Sequence, residues 1–133
     1  MGRPVYLAER LRNPIHQYKC SVHNICIKKR QHDNCISRAP CEFRRDAGEV
    51  EYHDHTNHIF IMVEGEATFV TGGKMVDAKR NAPGQMRAKA IEGGTTYRLS
   101  KGDVITIPAK TPHWWKQVST KTVAFYAVNI QGQ

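Results

Sequence analysis

Turn-forming residues recur through the C-terminal two thirds of this chain, and no convincing helix longer than a turn or two stands between them. Gly65, Gly72-Gly73, Pro83-Gly84, Gly93-Gly94, Gly102 and Pro108 divide the C-terminal two thirds into short pieces. Pieces at spacings of roughly eight to twelve residues, each apolar or alternating, are the pattern of an all-β sandwich or barrel. The sequence predicts strands around Val22 to Lys28, Cys41 to Arg45, Val50 to His53, His58 to Glu64, Ala67 to Thr71, Met75 to Val76 and Arg87 to Ile91. Further strands are expected over Thr96 to Leu99, Val104 to Ile107, His113 to Val118 and Thr122 to Ile130. Glu64-Gly65-Glu66 and Gly72-Gly73 read as hairpin turns. Polar residues 77 to 86 read as a loop, and residues 1 to 19 as an irregular arm broken by Pro4 and Pro14, with a helical turn over Leu7 to Arg12.

At 133 residues the chain is expected to form a single domain, with residues 1–40 as arm and first strands and 41–130 as the barrel core. Apolar residues make up 40% of it, and no run approaches the roughly 18 apolar residues of a membrane span. MGRPVYLAER has no apolar leader, so the expected location is cytoplasmic. Lys plus Arg is 20 against 12 Asp plus Glu, a net charge of +8. The basic residues are scattered, and Lys28-Lys29-Arg30 and Arg44-Arg45 are the densest runs, so no nucleic-acid partner is expected. A basic lining that attracts an anionic small substrate and a merely solvated surface both fit. Cys20, Cys26, Cys35 and Cys41 contain no C-x-x-C pair of the zinc or redox kind. In a cytoplasmic chain they read as small buried hydrophobes, although an even count permits two disulfides.

The chemistry concentrates in GEVEYHDHTNHIFIMVEGE, which places His53, His55 and His58 at the start of the apolar run Ile59 to Val63. Neutral imidazole is the commonest side-chain metal ligand. Side chains two apart on a strand share a face. Glu51, His53 and His55 therefore share parity, as do His58, Phe60 and Met62, and His113 with Trp115. A polar head on an apolar wall is how a small-molecule pocket is built. His53, His55, His58 and His113 are the candidate metal ligands, whereas His16, His23 and His32 read as ordinary surface or hydrogen-bonded residues. Phe60, Met62, Trp115 and Arg44 are the candidate pocket residues. Arg44, Arg87 and Arg98, near strand ends, are candidates to clamp an anion.

GEVEYHDHTNHIFIMVEGEATF followed by GDVITIPAKTPHWWKQV resembles the two signature motifs of the cupin superfamily. Gly102-Asp103, Pro108 and His113 match the second motif, and Ile59 to Gly65 the end of the first; the usual Asn after the second-motif His is missing. The first motif departs from the pattern, because His58 stands where the family has Glu. Counting by spacing puts the family's His-x-His pair on Glu51 and His53, whereas counting from the visible pair puts it on His53 and His55. Both registers keep His53, His58 and His113, and leave open whether Glu51 or His55 is the fourth group.

The resemblance implies a small jelly-roll β-barrel around one divalent transition metal. An imidazole set without carboxylate suits iron, zinc, nickel or copper rather than magnesium or calcium. It also implies an enzyme acting on a small oxygenated molecule by dioxygenase, lyase, isomerase or cyclase chemistry, with Glu51 or His55, whichever is not a ligand, as general base. A homodimer is expected by the same analogy. The alternative is a non-enzymatic barrel that holds or senses a small ligand, since one fold hosts many functions.

Overall fold

The structure, a computed structural model, describes residues 25–27, 37–39 and 41–132, with side chains from 41 to 132. No helix occurs among them, and strands follow one another throughout. They are β1 (Ile25–Ile27), β2 (Ser37–Ala39), β3 (Cys41–Arg44), β4 (Val50–His53), β5 (Thr56–Glu64), β6 (Glu66–Thr71) and β7 (Lys74–Val76). The series continues with β8 (Lys79–Ala82), β9 (Gln85–Ala88), β10 (Ala90–Glu92), β11 (Thr95–Ser100), β12 (Val104–Ile107), β13 (His113–Val118) and β14 (Val123–Gln131). The arm over residues 1 to 19 and the helical turn at Leu7 to Arg12 lie outside the described residues.

The strands form an all-β jelly-roll arrangement of two six-stranded antiparallel sheets and a small two-stranded one. The first sheet runs β1-β2-β14-β5-β12, with β3 pairing to the first half of β14. The second runs β11-β6-β13-β4-β9-β8. The apolar alternation read from the sequence faces inward from both. β5 contributes Phe60 and Met62, β6 Ala67 and Phe69, β12 Ile105 and Ile107, β13 Trp115, and β14 Val123, Phe125 and Ala127. Trp115 is the hub of this core, with ring centroids 4.5 Å from Phe125, 4.8 Å from Phe69 and 5.7 Å from Phe60. Such aromatic contacts add roughly 0.5–1.5 kcal/mol each beyond the area they bury. Trp114 points to the other face and donates its indole N–H to the Gly48 carbonyl at 2.7 Å.

Three local expectations are corrected. Glu64-Gly65-Glu66 is not a hairpin: β5 and β6 do not pair, and the chain crosses there from the first sheet to the second. Gly65 sits at φ +84, and a Cβ on it would run into the Thr122 carbonyl and lie 2.7 Å from the Thr120 hydroxyl oxygen. Gly72-Gly73 is not a hairpin either. Two antiparallel segments, β6–β7 and β10–β11, run alongside each other, and Gly72-Gly73 faces Gly93-Gly94 where they leave the large sheet for the small one. A Cβ on Gly73 would stand 2.6 Å from the Glu92 carbonyl. Finally, residues 77 to 86 are not a loop throughout. β8 and β9 form a hairpin about Pro83-Gly84, and β9 pairs with β4. The predicted strand at Arg87 to Ile91 is thereby split between β9 and β10, which belong to different sheets.

Cys41, the first residue of β3, is disulfide-bonded. The reading of the cysteines as free buried thiols therefore fails at this position.

Candidate metal centre

Strand parity and register bring three imidazoles together between the sheets. On β4, Glu51 and His53 share a face. On β13, His113 is the first residue and stands opposite Glu51 of β4 on one side and Thr71 of β6 on the other. These groups come from the second sheet. His58 reaches them from the first sheet, at the head of the inward face that continues as Phe60 and Met62. The connection that delivers His113 is pinned in place. Lys110, at φ 63, donates its backbone N–H to the His53 carbonyl at 2.7 Å, and the Ala109 N–H reaches Asn57 Oδ1 at 2.9 Å.

The His53 and His58 ring centroids are 4.9 Å apart, His58 and His113 5.1 Å, and His53 and His113 5.4 Å. Each ring offers a ligand nitrogen within 4.8 Å of the others. The Nε2 atoms of all three are buried and have no hydrogen-bond partner. Buried polar atoms are normally paired, so three orphans facing one another need an explanation. Two of the rings also have their tautomer fixed. His58 Nδ1 lies 2.6 Å from Asn129 Oδ1, and His113 Nδ1 lies 3.1 Å from the Thr111 carbonyl. Both oxygens can only accept, so Nδ1 carries the proton and Nε2 presents a lone pair. An oriented imidazole whose far nitrogen donates to a protein oxygen is the usual support of a metal ligand. The donor set therefore fits one transition-metal ion.

Electrostatics prepare the same state. Burial, reinforced by the neighbouring His113, lowers the His58 pKa to about 4, so the ring is neutral at ordinary pH. Glu51 lies beside the group, its Oε2 3.6 Å from His53 Nε2 and 3.7 Å from His113 Nε2. Burial pushes its carboxyl up, but the groups around it, the Arg87 guanidinium among them, outweigh that and hold it well below the usual carboxylate range. Its other oxygen is 3.6 Å from both Arg44 and Arg87.

A cavity of about 220 Å³ opens onto His53 and His58. Arg44, Phe60 and Trp115 line it as the sequence led us to expect, whereas Met62 is buried in the core and does not reach it. His55 is exposed, in the connection after β4 has ended, and takes no part in the group. Of the two candidates for the fourth group, Glu51 is the one the structure brings to the imidazoles. Arg87 holds Glu51, while Arg98 pairs with Glu66 at 2.6 Å and is not among the residues lining the cavity. Sequence reasoning missed Glu42 and Asn129, both of which line the cavity. The available signal was parity: Glu42 alternates with Phe43 beside Arg44, and Asn129 is in step with the inward Phe125 and Ala127.

A family model for cupins matches residues 48–133. A search of the curated proteins found no match. Among solved structures, two of the Escherichia coli protein YcfD, one described as a ribosomal oxygenase, superpose with TM-scores of 0.53 and 0.56 at 18% and 19% identity. The alignments cover 72% of this chain and 23% and 26% of those chains. A Bacillus subtilis oxalate decarboxylase superposes with a TM-score of 0.46 at 16% identity over 72% of this chain and 21% of that one. The chain thus spans about a quarter of the length of these structures, and the likeness to YcfD is one of fold. With the family match over the two histidine-bearing segments, this chain belongs to the cupin family.

Proposed function

We propose that this cupin is a metal-dependent enzyme that holds one divalent transition ion on His53, His58 and His113 and acts on a small oxygenated organic molecule in the adjoining cavity. The observation that carries the reading is the set of three buried Nε2 atoms with no other partner, two of them on rings whose tautomer is fixed. Bound there, iron, zinc, nickel or copper would supply a Lewis acid or, for a redox-active ion, a site for oxygen chemistry. The chain's own residues do the rest. Phe60 and Trp115 keep one wall dry and position an apolar portion of the substrate. Glu51, ionised and held by Arg44 and Arg87, sets a fixed negative charge beside the imidazoles and accepts a hydrogen bond from a substrate hydroxyl. A carboxyl held below its usual range is a weak base, so it places charge rather than serving as the general base.

Elemental analysis of the purified chain beside a His58→Ala/His113→Ala double variant tests the proposal. About one equivalent of a transition metal in the wild type and none in the variant is expected. An absence of metal from both, even after reconstitution, would leave a ligand-binding barrel in place of the enzyme.

The homodimer is part of the same reading, supported by exposed Phe43 on β3 and Ile61 on β5; sedimentation at micromolar concentration tests it. No helix among the described residues is long and apolar enough to cross a membrane.

A further inference from the structure

We propose that Glu42 and Arg44 form the recognition wall for a small hydroxylated monocarboxylic acid, with Arg44 taking the carboxylate and Glu42 accepting the hydroxyl. The inference rests on the cavity being a ligand site, as above, and names what enters it.

Both residues lie on β3, two apart, so both face the cavity from the same strand. The Arg44 guanidinium is poorly satisfied. Its Nε is buried with no hydrogen-bond partner. Its nearest anion, Glu51 Oε1, is 3.6 Å away, beyond good hydrogen-bond distance, and that oxygen is shared with Arg87. The guanidinium carbon lies over the Trp115 ring, 5.8 Å from its centroid. A flat guanidinium with free donors is suited to a carboxylate taken by two parallel bonds.

Glu42 is the complementary half. It makes no hydrogen bond or ion pair among the described residues, not even with Arg44 on the same wall. Burial pushes its carboxyl up, Arg44 opposes this, and Glu51 adds to it. A ligand hydroxyl would satisfy its acceptor oxygens.

Charge bounds the ligand further. Among the described residues Arg44 is the one guanidinium or ammonium lining the cavity, beside two carboxylates, Glu42 and Glu51. Glu51 already has Arg87 and two imidazoles beside it. One carboxylate on the ligand is thus matched by Arg44, and a second would meet Glu42. The volume, about 220 Å³, admits a single ring or short chain, below the several hundred Å³ of a site for larger ligands. Phe60 and Trp115, stacked 5.7 Å apart at 23°, make part of the lining apolar.

The test is calorimetric titration of the full chain with 3-hydroxybenzoate, benzoate and the neutral benzamide. The metal content of each sample is measured in parallel. The wild type is expected to bind 3-hydroxybenzoate more tightly than benzoate, and benzamide at least tenfold more weakly than either. Arg44→Gln should weaken both acids at least tenfold and leave benzamide unchanged, with Arg44→Lys in between. Glu42→Ala should abolish the preference for the hydroxylated acid. If the wild type ranks benzamide with the acids, or Arg44→Gln binds the acids as well as wild type, the carboxylate assignment is wrong. A hydroxyl preference that survives Glu42→Ala removes Glu42 from it. Arg44-dependent binding by a protein that takes up no metal would uphold this inference and sink the metal reading. Full metal content with Arg44-independent binding would do the reverse.

Discussion

Asn129→Ala removes the one acceptor among the described residues that holds the His58 ring, and its cost can be worked out in two parts. His58 is 8% exposed, and its Nδ1–H donates a hydrogen bond to Asn129 Oδ1 at 2.6 Å. Without that oxygen a buried donor is orphaned, which costs about 1–3 kcal/mol. The ring can instead move its proton to Nε2, but that nitrogen is the one that faces His53 and His113. A metal would then have to displace the proton and reorient the ring, and loss of such a supporting partner typically costs about 10–100-fold in metal affinity. Chelator competition at neutral pH reads the second effect, and urea unfolding of the metal-free protein reads the first. Both should move: stability down by about 1–3 kcal/mol and affinity down by one to two orders of magnitude. If stability stays within about 0.5 kcal/mol of wild type and affinity within about twofold, Asn129 does not orient His58, and the tautomer argument for the centre falls.

Three further outcomes follow from the same geometry. His55→Ala should leave metal affinity unchanged while His53→Ala abolishes it, because His55 is exposed outside the group; equal losses in the two variants would show that His55 ligates. The His58 pKa falls from 6.5 to about 4 on folding, so between those values the unfolded chain binds more protons. Stability of the metal-free protein is thus fully present above pH 6.5 and lost as pH falls through the folded pKa, by about 3 kcal/mol. The Glu51 shift acts in the same direction at lower pH; urea midpoints that stay flat from pH 7 to pH 4.5 would contradict this. Gly65→Ala should destabilise by about 2–5 kcal/mol, combining the left-handed backbone with crowding against Thr120 and Thr122, and a calorimetric melt within 2 °C of wild type would refute it.

The fold was legible where alternation is unambiguous. His58, Phe60 and Met62 step inward along β5, and the same rule placed His113 with Trp115 and turned Trp114 away. Connectivity was not legible. A glycine between two strands reads the same whether the chain turns back on itself or, as at Gly65, passes to the facing sheet. β8, KRNA, carries no apolar alternation; it is an edge strand held by its backbone ladder to β9, which side-chain patterns do not report. At the centre, His53 and His55 share parity only if the strand continues. β4 ends at His53, and the connection carries His55 to the surface. Glu42 and Asn129 were missed because one polar residue on an inward face is uninformative until the register shows what stands opposite it.

The central claim is that three imidazole nitrogens meet at one metal. X-ray absorption at the metal edge of the loaded protein tests it most directly. The account predicts three imidazole scatterers at about 2.0–2.2 Å, falling to two in His113→Ala. A spectrum without imidazole scattering, or one that His113→Ala leaves unchanged, would contradict it.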